Sequence, residues 1–161
     1  SAASDVYKRQ LQKKVLDLIH KKTIAKHKNQ VIMITHSPFL LESKELENIW
    51  RFSLASKGSI ALRMVNALAK LQSHEKDQIL KNLRNSEIRS ILFSRGVVLV
   101  EGISDKFVVQ AVDKHLSSQG KGANLGNNEW NVLEIDGKKN LQYFIDLARI
   151  LDIPYVAVVD V

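Results

Sequence analysis

The stretch Gly96–Lys106, GVVLVEGISDK, runs four apolar residues, Val97–Val100, without alternation into Glu101 and Gly102. A continuous apolar run of this length suits a strand buried on both faces, as in a parallel sheet covered by helices. Glu101 then falls at the carboxyl end of the strand, where ligand sites of open α/β sheets lie. Ser104 and Asp105 open a helix, and Asp105 stands one helical turn beyond Glu101. Two carboxylates beside a glycine that permits close approach make an oxygen-rich spot of the kind hard cations such as magnesium require.

Outward towards the C-terminus, Ser104–Leu116 reads as a helix with Val108, Ala111, Val112 and His115 on its apolar side. Ser117–Asn128, rich in Gly, Ser and Asn, reads as a flexible connection. Trp130–Ile135 is the next strand, and Asp136, Gly137, Lys138 and Lys139 form its exit. Leu141, Phe144, Ile145, Ala148 and Leu151 follow at the spacing of a sheet-covering helix face. Pro154 precedes a last short apolar run, Tyr155–Val159, which ends in Asp160. Two parallel strands ending in Glu101 and Asp160 would bring both acids to one sheet edge.

Outward towards the N-terminus, Ser86–Phe93 and Leu71–Leu83 read as helices, and Ile49–Leu54 with Ser59–Val65 as a hairpin turning at Ser56, Lys57 and Gly58. Arg84, Arg89 and Arg95 are candidate phosphate contacts, although arginines on helix surfaces are more often simply solvated. Val31–Thr35, VIMIT, reads as a buried strand, followed by His36, Ser37 and Pro38, with Phe39–Leu41 beginning a short helical turn. Pro38 suits a helix start and disfavours helical geometry at Ser37, so His36 falls on a tight turn. Leu11–Lys28 reads as an amphipathic helix that would cover a sheet. Residues 1–10, SAASDVYKRQ, are set aside as an expected non-native leader.

The 161 residues are 45% hydrophobic, enough for a packed core. Cysteine is absent, which excludes disulfide scaffolds and thiolate zinc sites, and no apolar run nears the roughly 18 residues of a membrane span. A cytoplasmic protein with no membrane partner is expected. Charge is uneven: residues 1–95 carry 18 Lys and Arg against 8 Asp and Glu, whereas residues 96–161 carry 6 against 9. The basic part suits a nucleic-acid partner or an ordinary solvated surface, and the acidic part suits cations.

Glu-Gly after the first strand, an acid four residues later, a middle strand ending in DGK and a last strand IPYVAVVDV together resemble a TOPRIM domain, the metal-dependent catalytic fold of topoisomerases, primases and certain nucleases. The segment THSPFLL after helix and apolar strand resembles the switch-histidine segment of ABC-type ATPases. Their order, with the hairpin and helices between, resembles the OLD family, in which an ABC-type ATPase domain precedes a TOPRIM nuclease domain.

The resemblance implies an α/β chain: the end of an ABC-type ATPase domain at 11–54, a hairpin and helical connection at 55–95, and the first half of a Rossmann-like TOPRIM domain at 96–161. It implies an ATP-dependent, divalent-metal-dependent DNA endonuclease, active in a longer parent, with Mg2+ or Mn2+ and ATP as cofactors and DNA and a second copy as partners. Glu101 and Asp160 would be catalytic metal ligands, and Asp160 the first member of an Asp-x-Asp pair. Asp105 would be a third ligand, though it reads equally well as a helix cap. His36 would contact the γ-phosphate of ATP and help position the attacking water. Two other readings stand beside this one: an ATP-gated DNA clamp whose TOPRIM part does not cut, and, ranked last, a primase-like or topoisomerase-like enzyme, which leaves THSPFLL unexplained.

Overall fold

A computed structural model describes residues 2–25, 29–41, 46–55 and 58–159. The chain divides into two compact units, Ser1–Glu42 and Ser43–Val161. The first strand, β1 (Trp50–Ala55), therefore belongs to the second unit.

In the first unit, α1 (Ala2–Ile19) passes into a π-helical stretch, His20–Ala25. The helix runs through residues 2–10 as well as through the segment expected from Leu11 onwards. The strand expected at Val31–Thr35 is not formed. These residues have no ladder partner among those described, and Ile32 and Ile34 are 88% and 92% exposed. A strand is stable only when neighbours take up its N–H and C=O groups and its apolar faces. The same lack leaves Leu11, Val15 and Leu18 of α1 exposed. Pro38 does start a single 3-10 turn, Pro38–Leu40, with Ser37 in extended geometry ahead of it.

The second unit is built on a three-stranded parallel sheet: β3 (Gly96–Val100) lies between β4 (Trp130–Glu134) and β5 (Tyr155–Val158). All five β3 residues are buried, as a central strand of a covered sheet must be. The register sets Val100 opposite Glu134 on one side and Val158 on the other. The expected α/β class and parallel sheet are present.

Helix α6 (Lys138–Ile150) covers one face through Phe144, Leu147 and Ala148, with Leu151 buried just beyond, as its spacing predicts. It packs against β3 and against α3 (Ser73–Asn82). Helix α5 (Ile103–Ser118) covers the other face through Val109, which packs on Val98, Val100 and Val132. Its rotation differs from expectation. Val108 and Val112 are exposed, together with Ile103 and Phe107, while Asp105, Lys106 and Asp113 are partly buried. Three polar anchors fix this rotation: Asp105 accepts from the Gly102 amide, Lys106 pairs with Glu87, and Asp113 accepts from the Leu125 amide. The connection after α5 is correspondingly held in place, with Trp130 N–H donating to the Leu125 carbonyl at 2.8 Å.

Ahead of the sheet, β1 (Trp50–Ala55) and β2 (Gly58–Arg63) form the expected antiparallel hairpin, with Trp50 opposite Arg63. Chain expected to continue β2 turns instead into α2 (Met64–Leu68), whose Met64, Ala67 and Leu68 are buried. The helix expected at Ser86–Phe93 begins as α4 (Ser86–Arg89), capped by the Asn85 side chain on the Glu87 amide, and tightens to 3-10 geometry over Ser90–Phe93. Arg51 ties the hairpin down: its guanidinium donates to the carbonyls of Leu92, Ser94 and Leu151 at 3.0–3.1 Å. Burial pulls its pKa below the ordinary arginine value, and nearby Asp152 pushes it back up.

Candidate metal centre at the carboxyl edge of the sheet

Glu101 stands where β3 ends and the chain turns into α5. Its Oε2 is buried without a hydrogen-bond partner. A carboxylate oxygen taken out of water and left unpaired is costly, and a bound cation would offset that cost. Gly102 adopts φ −136°, accessible to any residue, and a Cβ there would meet only Asp105 Oδ2, at 3.7 Å. Among the described residues beyond its chain neighbours, nothing else lies within 4 Å of that position.

Asp105 uses one oxygen, Oδ2, to accept from the Gly102 amide at 3.0 Å. Its capping role is therefore realised, and the bond holds the carboxylate against the turn that carries Glu101. The amide groups of the first turn of α5, a 16-residue helix, add partial positive charge at the same end.

The loop after β4 closes over this turn. Ile135 N–H donates to the Val100 carbonyl at 3.0 Å and Gly137 N–H to the Glu101 carbonyl at 3.2 Å. Asp136 and Gly137 both hold positive φ, 53° and 91°. Asn140 locks the conformation, its Nδ2 donating to the carbonyls of Ile135 and Asp136 at 3.0 and 2.9 Å. Asn140 was not singled out by sequence reasoning; its signal is an amide four residues beyond Asp136 at the start of a helix, within reach of the orphan carbonyls of the turn.

The remaining expected site residues divide. Asp160 lies outside the described residues; Val158, two positions earlier, is level with Val100. Among the described residues, no group of three His, Asp or Glu side chains is placed to hold a metal. Glu101 and Asp105 are thus brought to one turn, and no third such ligand joins them among the described residues. His36 is exposed in the other unit, ahead of Ser37, whose amide donates to Thr35 Oγ1 and whose hydroxyl donates to Gln12. Arg89 donates to the carbonyls of Leu83 and Arg84, and Arg95 pairs with Glu129 at 3.0 Å, so two of the three arginines have structural partners.

The family described as "Overcoming lysogenization defect protein-like, TOPRIM domain" matches residues 92–161. Residues 92–161 are an OLD-like TOPRIM domain. The chain is also 28% identical over 120 residues, 74% of its own length, to a protein of Escherichia phage P2 named "Old nuclease", and spans 20% of that relative's length. The TOPRIM match begins four residues ahead of β3 and takes in the whole parallel sheet. TOPRIM domains generally bind divalent metal ions, and the donor set fits one: the buried, unpartnered carboxylate oxygen of Glu101, with Asp105 held on the same turn. No helix among the described residues is long and apolar enough to cross a membrane.

Proposed function

We propose that this chain is part of an ATP-dependent DNA endonuclease of the OLD family that cleaves phosphodiester bonds with magnesium or manganese in its TOPRIM domain. The observation that carries the reading is the buried, unpartnered Oε2 of Glu101 at the carboxyl end of the central strand. Glu101 and Asp105 would hold the cation, with Asp160 completing the set. The bound ion would supply charge stabilisation at the phosphate oxygens and a water of lowered pKa. The chain's own contribution is placement. Asp105, fixed on the Gly102 amide, holds the turn; the Gly137 amide fixes the Glu101 backbone; and the first turn of α5 favours an anionic phosphate alongside.

His36 is proposed to serve ATP hydrolysis in the parent, supported by its place between an apolar stretch and the turn at Pro38. His36→Ala in the parent should lower ATP turnover and leave metal-dependent cleavage chemistry in place.

A thermal melt of the chain with magnesium, with manganese and with chelator tests the metal site. Stabilisation by either ion that Glu101→Ala removes supports the reading; equal melting in all three conditions contradicts it.

A further inference from the structure

The hairpin is amphipathic in the wrong sense for a sheet that covers a core. Along β1 the polar residues Arg51 and Ser53 are partly buried, and Arg51 is anchored on three carbonyls. The alternate residues Trp50, Phe52 and Leu54 point the other way and are 54%, 72% and 80% exposed. Because side chains alternate strictly along a strand, anchoring Arg51 inward obliges Trp50 and Phe52 outward. Their cross-strand partners Arg63 and Ala61 share that outer face, and the Arg63 guanidinium lies 5.8 Å from the centroid of the Trp50 ring. The stretch Trp50–Arg63 contains Arg51, Lys57 and Arg63 and no carboxylate.

Two aromatic rings side by side with an arginine, on a strand free of negative charge, match a polyanion whose apolar faces are available for stacking. Trp50 and Phe52 stand two residues apart, about 7 Å along the strand, within reach of neighbouring unstacked bases. Duplex DNA conceals those faces, whereas a single strand presents them. We infer that the outer face of the hairpin is a binding platform for single-stranded DNA, with bases stacked on Trp50 and Phe52 and Arg63 contacting the backbone. The inference rests on the nuclease reading and deepens it by naming the form of the substrate.

The test is fluorescence anisotropy with a labelled oligothymidylate of about 20 nucleotides and a duplex of equal length, on the 161-residue chain in chelator. Binding is then read without cleavage, so failure of the nuclease reading would not mimic failure of this one. The single strand should bind more tightly than the duplex. Trp50→Leu and Phe52→Leu, which keep apolar bulk and remove the ring, should each weaken binding about tenfold. Arg63→Ala should reduce the slope of log affinity against log salt by about 0.7. Trp50→Phe should retain affinity within about twofold while abolishing the quench of tryptophan emission, since the remaining Trp130 packs on Val98, Val100 and Val132. Circular dichroism of each variant controls for folding, and Phe52→Tyr, expected to bind normally, guards against a merely destabilised strand. Leu variants that bind as tightly as the original, or a preference for duplex, would overturn the inference. So would loss of self-association in Trp50→Leu with oligonucleotide affinity unchanged, which would make the face a contact between protein chains.

Discussion

The Gly137 amide donates to the Glu101 carbonyl oxygen at 3.2 Å, tying the turn that ends β4 to the turn that ends β3. The bond depends on Gly137 holding φ 91° and ψ 155°, a region only glycine occupies without strain. Gly137→Ala should therefore destabilise the chain by roughly 1–3 kcal/mol. It should also weaken the metal-dependent rise in melting temperature, because the Glu101 turn loses its backbone partner. Urea denaturation and melts with and without manganese check both.

If Glu101 holds a cation as proposed, its carboxylate costs stability while the cation is absent. Its buried oxygen finds no donor, so Glu101→Leu should raise the stability of the metal-free chain by about 1–3 kcal/mol. The same substitution should remove the response to magnesium and manganese. A metal-free melting temperature at or below that of the original chain would show the carboxylate to be satisfied in solution.

Arg51 joins segments remote in sequence by donating to Leu92, Ser94 and Leu151. Arg51→Ala leaves three carbonyls without that donor and should cost about 2–4 kcal/mol in urea unfolding. Arg51→Lys should recover only a minor part, since an ammonium lacks the planar fork that reaches three acceptors at once.

Gly96 is required by packing rather than by backbone geometry. A Cβ there would overlap the indole of Trp130, its cross-strand neighbour. Gly96→Ala should cost about 1–3 kcal/mol, and a second change, Trp130→Val, should restore part of it in a double-mutant cycle.

These residues also show what was legible in the sequence. The unbroken apolar run Val97–Val100 identifies a central strand because burial on both faces leaves no room for alternation, and it puts Glu101 at the carboxyl end of that strand. Helix α6 follows directly from its spacing. Elsewhere local pattern and tertiary context part. VIMIT has strand composition but no described partner to pair with. The apolar stripe of α5 predicts the wrong inward face, because bonds from Asp105, Lys106 and Asp113 set its rotation and no periodicity reports them. Arg51 looks like any surface cation until three carbonyls far apart in the chain converge on it, and Asn140 gains its role only from the turn it closes.

Plasmid cleavage by the proposed full-length parent, beside its Glu101→Ala and Asp160→Ala variants, tests the central claim most directly. With magnesium or manganese the parent should convert supercoiled plasmid to nicked or linear product, and each substitution should abolish that conversion while ATP turnover persists. Cleavage that survives Glu101→Ala would contradict the assignment of the metal site. DNA binding and ATP turnover without any cleavage would make the parent an ATP-gated clamp.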